Sequence, residues 1–174
     1  LARGIKVIEA NYARTVSKGR LTQEEMDKRM SLIIPTENFE DLGDGDIVVE
    51  AVYENLDLKK EIFSRLDKVM KEGALLATNT SGLDVDAIAG MTGRAEFVCG
   101  MHFFSPANVM RLLEVVRGKD SSPVVLGTAM ALGKRLGKVS VMAGNCPGFI
   151  GNRMLGGYTR QAATMILEGA TPAQ

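Results

Sequence analysis

The single histidine of this 174-residue chain, His102, is the residue best suited to acid–base chemistry. Glu114 lies in a neighbouring apolar segment. A carboxylate bonded to one imidazole nitrogen fixes the tautomer of the ring, and the other nitrogen then becomes a general base. His102 and Glu114 are therefore a candidate catalytic pair. A second interpretation stays open, in which a buried histidine is satisfied by a buried carboxylate for packing alone.

Strand geometry brings this pair together. The link between the predicted strands 97–104 and 112–116 is shorter than the dozen or so residues of a parallel crossover, so the two strands should be antiparallel. A turn centred on Asn108 places His102 directly opposite Glu114. His102 also falls near the carboxyl end of its strand, where open α/β sheets bind their ligands.

The remaining elements alternate between strands and helices, which predicts a doubly wound α/β fold with a mostly parallel sheet. Helices are predicted at 1–17, 23–30, from Asn55 to Gly73, at 85–89 and at 123–136; further strands are predicted at 47–52, 74–78 and 138–142. The chain from Pro147 onward is predicted as one long helix beginning at that proline. Its apolar residues have little left in the chain to pack against.

Three polar clusters follow predicted strands: residues 52–54 with Lys59, residues 79–81, and Ser105. The carboxyl ends of parallel strands share one edge, so a single crevice could contact all three. Each cluster also has an ordinary interpretation. Asparagine and serine are common in turns, Asn55 can cap a helix, and Lys59 can be a solvated helix charge.

A fourth cluster, residues 146–153, precedes and opens the last helix. Asn152 is predicted about one turn into that helix, where its amide could bind a ligand carbonyl or the neighbouring backbone. Cys146 is interpreted as a small buried residue, because no second histidine exists to activate it.

Composition argues against several classes of protein. Lys plus Arg (21) balance Asp plus Glu (21), which disfavours nucleic-acid and membrane-surface partners. No apolar run reaches a membrane span of roughly 18 residues, and no signal-peptide pattern opens the chain. Two cysteines and one histidine argue against a metal site. We expect a cytoplasmic protein, or a peroxisomal or mitochondrial one in a eukaryote.

Four segments together resemble the L-3-hydroxyacyl-CoA dehydrogenases: residues 47–56, 77–81, 100–116 and 146–153. The resemblance covers nearly the whole chain and keeps the family's order of motifs. The opening residues 3–12 and 18–22 are most similar to the multifunctional fatty-acid oxidation enzymes, which join this dehydrogenase to an enoyl-CoA hydratase. No Gly-x-Gly-x-x-Gly turn is present, although a dinucleotide-binding domain should carry one after its first strand.

The resemblance implies NAD-dependent oxidation of L-3-hydroxyacyl-CoA to 3-oxoacyl-CoA in β-oxidation. It implies that His102 is the base and that Glu114 orients it. Ser81 and Asn152 would complete the catalytic set as substrate contacts. The residues near the nicotinamide half of NAD would be Val52, Tyr53, Glu54, Lys59, Ser81 and Ser105, and the last of these stands where many members carry asparagine.

The resemblance also implies a domain organisation. We expect an NAD-binding Rossmann-like domain over 1–144, incomplete at its N-terminus, and over 145–174 a linker and the first helix of an all-α domain. An acyl-CoA would be the substrate, and the full-length protein would form a homo-oligomer or multienzyme complex.

Two alternatives remain. Another β-hydroxyacid dehydrogenase is disfavoured, since those enzymes typically rely on a catalytic lysine. A non-catalytic structural or CoA-binding relative is disfavoured because both His102 and Glu114 are present.

Overall fold

The structure is a computed structural model that describes residues 1–171, and contacts divide the chain into two compact units, Leu1–Asp41 and Leu42–Gln174. The first unit contains helices α1 (Ala2–Ser17) and α2 (Gln23–Ser31). A capping box starts α2, because Thr22 Oγ1 accepts from the N–H of Glu25 and the Glu25 carboxylate accepts from the N–H of Thr22. Both helices were predicted from the sequence.

The second unit is a five-stranded sheet with helices along the chain between the strands. Its elements are β1 (Ile47–Glu50), α3 (Leu56–Val69), β2 (Leu75–Thr78), α4 (Val85–Ala89), β3 (Val98–Phe103), β4 (Leu112–Arg117), α5 (Pro123–Arg135), β5 (Val139–Gly144) and α6 (Gly151–Leu167). The strand order is β1-β2-β3-β4-β5. The β3–β4 pair is antiparallel and the other three pairs are parallel, which confirms the predicted fold class.

The register of the antiparallel pair places His102 opposite Glu114, as predicted. Close approach of the two strands depends on Gly100, whose Cβ, if present, would lie 2.6 Å from Cβ of Val116. Apolar residues on this pair, including Met101 and Leu113, are fully buried against α5. The candidate pair is therefore anchored in the centre of the sheet.

Several predicted boundaries were wrong. α3 ends at Val69 rather than at Gly73, and β5 ends at Gly144 rather than at residue 142. β1 ends at Glu50 rather than at residue 52, because the Glu50 side chain turns back to accept the N–H of Val52. α6 begins at Gly151 rather than at Pro147. Gly148 and Phe149 have φ angles of 73° and 49°, and this left-handed backbone cannot be part of a right-handed helix.

No helix in the described part of the chain is long and apolar enough to cross a membrane.

Candidate active site

His102 and Glu114 form a buried hydrogen-bonded pair. Nδ1 of His102 lies 2.7 Å from Oε2 of Glu114. The exposed fraction of His102 is 5%, and Glu114 is fully buried. Because this distance is that of a strong, charge-assisted hydrogen bond, the pair is held as one unit.

The second oxygen of Glu114 is held by the beginning of α6. Oε1 accepts the backbone N–H of Ile150 at 3.0 Å and that of Gly151 at 2.8 Å. Both oxygens of Glu114 therefore serve as acceptors. In the neutral imidazole this network assigns the proton to Nδ1 of His102 and leaves Nε2 with its lone pair.

Two phenylalanines orient the imidazole ring. The ring centroid of His102 lies 4.3 Å from that of Phe104 and 5.8 Å from that of Phe149, both in tilted contacts. Phe149 is almost fully buried and has the left-handed backbone conformation described above. This strained turn brings the Phe149 ring to His102 and the next two N–H groups to Glu114.

Ser81, predicted to contact both substrate and cofactor, is held by Glu54. Oε1 of Glu54 accepts from Oγ1 of Thr80 (2.6 Å), from the N–H of Ser81 (2.8 Å) and from Oγ of Ser81 (3.0 Å). Partial burial opposes ionisation of Glu54. The hydrogen bonds from Thr80 and Ser81, together with the charge of Lys59, outweigh this effect and hold the pKa of the Glu54 carboxyl below its usual range.

Asn152 reaches the same loop from α6. Its Nδ2 donates to the carbonyl of Ser81 at 3.1 Å, although Asn152 is the second residue of the helix and not a full turn inside it. The two loops touch nearby, since a Cβ on Gly82 would lie 3.1 Å from the nitrogen of Gly148. A cavity of about 340 Å³ adjoins this contact, lined by Gly82, Asp84, Asp86, Asn145, Cys146 and Pro147.

Lys59 is fully buried, so the interpretation as a solvated helix charge was wrong. Its Nζ lies 2.7 Å from Oε1 of Glu50, 3.3 Å from the carbonyl of Val52 and 3.7 Å from Oε2 of Glu54. Lys59 would therefore act on a cofactor through Glu54 and the Val52 backbone. Sequence reasoning missed Glu50, although a carboxylate that ends an apolar strand just before a helical lysine is a readable signal.

The other predicted cofactor residues lie near the strand ends, and of these Val52 joins the network through its backbone N–H and carbonyl. Val52 is half-buried, and Tyr53 and Ser105 are exposed in the segments that follow β1 and β3. Oδ1 of Asn79 accepts the N–H of Phe103 at 2.8 Å, so Asn79 ties the end of β2 to β3. The described residues thus bring Glu54, Lys59, Ser81 and Asn152 together, with His102 and Glu114 as a second group bonded to the start of α6.

Cys146 is partly exposed, so its interpretation as a buried residue was wrong. Its Sγ lies 3.6 Å from the carbonyl of Phe149 and 3.5 Å from Nη1 of Arg153.

The chain is similar to known proteins. Residues 1–146 match the family described as 3-hydroxyacyl-CoA dehydrogenase, NAD binding domain. The peroxisomal bifunctional enzyme of Danio rerio is 59% identical over 137 residues, which are 79% of this chain and 19% of the relative. A peroxisomal fatty acid beta-oxidation multifunctional protein of Arabidopsis thaliana is 45% identical over 166 residues, or 95% of this chain and 23% of the relative.

Solved structures agree with the sequence relatives. (S)-3-Hydroxybutyryl-CoA dehydrogenase from Ralstonia eutropha superposes with a TM-score of 0.97 at 34% identity, over 99% of this chain and 62% of that one. The dehydrogenase part of multifunctional enzyme 1 from C. elegans gives 0.76 at 34% identity, over 98% and 40% of the two chains. This chain spans about a fifth of the length of the curated relatives that it matches. It belongs to the family of NAD-binding domains of 3-hydroxyacyl-CoA dehydrogenases.

Proposed function

We propose that this chain carries the reacting part of an NAD-dependent L-3-hydroxyacyl-CoA dehydrogenase, which oxidises L-3-hydroxyacyl-CoA to 3-oxoacyl-CoA in fatty-acid β-oxidation. The observation that supports it is the state of His102. Its Nδ1 is committed to Glu114 at 2.7 Å, whereas Nε2 has no hydrogen-bond partner among the described residues. An imidazole in this state is a general base for a hydroxyl group.

His102 would take the proton of the substrate 3-hydroxyl on Nε2. The imidazolium that forms is stabilised by Glu114, whose own charge is balanced by the N–H groups of Ile150 and Gly151. In the reductive direction the same Nε2 returns the proton to the oxygen of the 3-oxo group. The aromatic contacts of Phe104 and Phe149 keep the ring in one orientation through both directions.

Ser81 and Asn152 would position the substrate. The hydroxyl proton of Ser81 is donated to Glu54, so Oγ has only lone pairs to offer; because the single hydrogen of the substrate hydroxyl goes to His102, Oγ would accept from another donor on the substrate or cofactor. Nδ2 of Asn152 holds the Ser81 carbonyl and has a second hydrogen to donate. The low pKa of Glu54 keeps this arrangement intact at neutral pH.

The residues present fit NAD at the edge formed by the carboxyl ends of β1, β2 and β3. An exposed turn follows β1 and contains the carboxylate of Glu54. Hydroxyl groups of a cofactor can donate hydrogen bonds to this carboxylate. The residues that would hold the cofactor are Val52, Tyr53, Glu54, Lys59, Ser81 and Ser105, with Lys59 acting from inside the fold. NAD, when bound, supplies the acceptor for the hydride that leaves C3 of the substrate.

We further propose a peroxisomal location, since several relatives are peroxisomal multifunctional proteins. We propose an NAD-binding domain over 1–144 and the beginning of a helical domain over 145–174. Support comes from α6, whose apolar side chains are largely exposed: Met154, Leu155, Met165, Ile166 and Leu167. A helical domain, in a homo-oligomer or multienzyme complex, would cover them.

Reduction of acetoacetyl-CoA by NADH, measured with the complete gene product, tests the proposal. We expect turnover in the wild type and a loss of at least ~10²-fold in His102→Gln, the lower end of general-base contributions. Oxidation of the L but not the D isomer of 3-hydroxybutyryl-CoA is the second expected result. A correctly folded wild-type protein without turnover would instead support a non-catalytic relative.

A further inference from the structure

Glu50 takes no part in the proposed chemistry, yet its buried carboxylate begins a continuous series of polar contacts that ends at the candidate substrate residues. We propose that Glu50 is a positioning residue. It holds Lys59 inside the fold, and through Lys59 and Glu54 it fixes Ser81 for substrate and cofactor. The inference rests on the proposed function for the role of Ser81, whereas the series of contacts is independent of it.

The Glu50 carboxylate is held on both oxygens. Oε1 accepts from Nζ of Lys59 at 2.7 Å and from the N–H of Val52 at 2.7 Å. Oε2 accepts from Oγ1 of Thr78 at 2.8 Å, and the backbone carbonyl of Glu50 accepts the N–H of Asn79 at 2.8 Å. Glu50 is therefore fixed to β2 as well as to its own strand, and it gives Lys59 a rigid anchor.

Lys59 connects Glu50 to the candidate site. From its position on α3, its Nζ contacts the Val52 carbonyl at 3.3 Å and the Glu54 carboxylate at 3.7 Å. Glu54 in turn bonds to Ser81, and the Ser81 carbonyl accepts from Asn152 on α6. Every step of the series is a direct contact between neighbours, from β1 to α6.

Stability alone gives little reason for this ion pair. The exposed fractions of the Lys59 and Glu50 side chains are 0% and 1%, so both charges lose their hydration. Apolar side chains of similar volume are often as stable as a buried pair or more stable. Removing only the Glu50 charge would leave Glu54 as the remaining carboxylate beside the ammonium of Lys59. The Glu54 carboxylate would then be drawn toward Lys59 and away from Ser81.

Two carboxylates provide a pair of variants, Glu50→Gln and Asp67→Asn: Glu50 binds Lys59 near the beginning of α3, and Asp67 lies near the end of the same helix. Asp67 lies toward the other end of α3, about 12 Å along the helix axis from Lys59. Its Oδ2 accepts the N–H of Gly93 at 2.9 Å, and its Oδ1 binds Nε of Arg94 at 2.8 Å. Each variant removes one negative charge that binds a cation and a loop amide, near opposite ends of the same helix, and the amide oxygen introduced can still accept a hydrogen bond.

The test is hydrogen exchange of the cofactor-free complete gene product, followed by mass spectrometry of peptides containing Ser81 or Gly93. Glu50→Gln should lower protection at Ser81 on the order of tenfold or more and leave Gly93 protected; Asp67→Asn should do the reverse. In Glu50→Gln the Kd of NADH should rise, and kcat/KM should fall, relative to wild type. Each of these changes should be on the order of tenfold larger than the corresponding change in Asp67→Asn. Glu50→Asp should recover part of each loss.

Equal loss of protection at both loops in both variants would overturn the proposal and leave Glu50 a role in stability only. If Glu50→Gln does not fold, Thr78→Val decides, because it removes one hydrogen bond to the Glu50 carboxylate and keeps both charges. Selective loss at Ser81 in that variant supports the proposal, and unchanged protection overturns it. The two proposals can fail separately. If the wild type shows no dehydrogenase turnover but the two variants still lose protection selectively, the proposed function is refuted and the positioning role of Glu50 is supported.

Discussion

Replacing Glu114 with glutamine should abolish base catalysis while preserving the fold. The glutamine oxygen can accept the N–H groups of Ile150 and Gly151, which lie 3.0 Å and 2.8 Å from the present Oε1. The side-chain NH₂ then occupies the position of Oε2, 2.7 Å from Nδ1 of His102. Two donors cannot share that distance, so the imidazole must carry its proton on Nε2 and accept at Nδ1.

The expected magnitude follows from this switch of tautomer. A ring protonated at Nε2 cannot take the proton of a hydroxyl, so the whole general-base contribution is lost, about 10²–10⁴-fold in kcat. This loss corresponds to about 3 to 5 kcal/mol of transition-state stabilisation. The melting temperature should change little, because each buried hydrogen bond has a replacement and no charge is left unpaired.

Two measurements on the complete gene product check the prediction. Steady-state kinetics with acetoacetyl-CoA and NADH give kcat, and ¹⁵N NMR gives the tautomer of His102, assigned by comparison with His102→Gln. Glu72→Gln, which changes an exposed carboxylate just after α3, is the matched control and should behave as wild type. A kcat for Glu114→Gln within about threefold of wild type, well below the usual contribution of a general base, would refute the catalytic role of the pair.

Three further outcomes are expected. Gly151→Ala should lower kcat on the order of tenfold, because the new Cβ would lie 2.8 Å from Cζ of Phe104, which packs on the imidazole; Gly156→Ala, with no atom within 4 Å, should not. Glu54→Gln should be less stable than wild type at neutral pH. Hydrogen bonds outweigh partial burial and lower the pKa of Glu54 in the folded protein. The contribution of Glu54 to the free energy of unfolding is therefore present above the unfolded pKa of about 4.3 and is lost as the pH falls through the folded pKa. Thermal melts of wild type and variant across pH 3–7 measure this loss. Burial raises the pKa of the Cys99 thiol to about 12, so mass spectrometry should find it unalkylated by iodoacetamide until urea unfolds the protein.

Local patterns were sufficient for much of the fold. The capping box of α2 and the Asn55 cap of α3 are short-range signals, and both are present in the structure. The pairing of His102 with Glu114 was predicted from a short connection with its turn centred on Asn108, and the register of the structure confirms it. The resemblance to a dehydrogenase family came from ordered motifs and is confirmed by the match over residues 1–146.

The boundary of α6 could not be read in the same way. Proline favours a first helical turn, which suggested a helix from Pro147. Phe149 instead adopts a left-handed backbone conformation that is uncommon outside glycine, and no local preference of phenylalanine predicts it. Burial of its ring against His102 offsets that strain, and this contact exists only after the chain has folded.

The sequence by itself determined that His102 faces Glu114 across the antiparallel β3–β4 pair, since strand period and turn length are local properties of the chain. Tertiary structure alone decided what surrounds them. The N–H groups of Ile150 and Gly151 reach Glu114, and Glu50 takes Lys59 out of solvent, through contacts between distant segments. Such contacts depend on burial and on the path of the backbone in three dimensions. Neither produces a periodic pattern of apolar and polar residues in the sequence, so sequence patterns could not predict them.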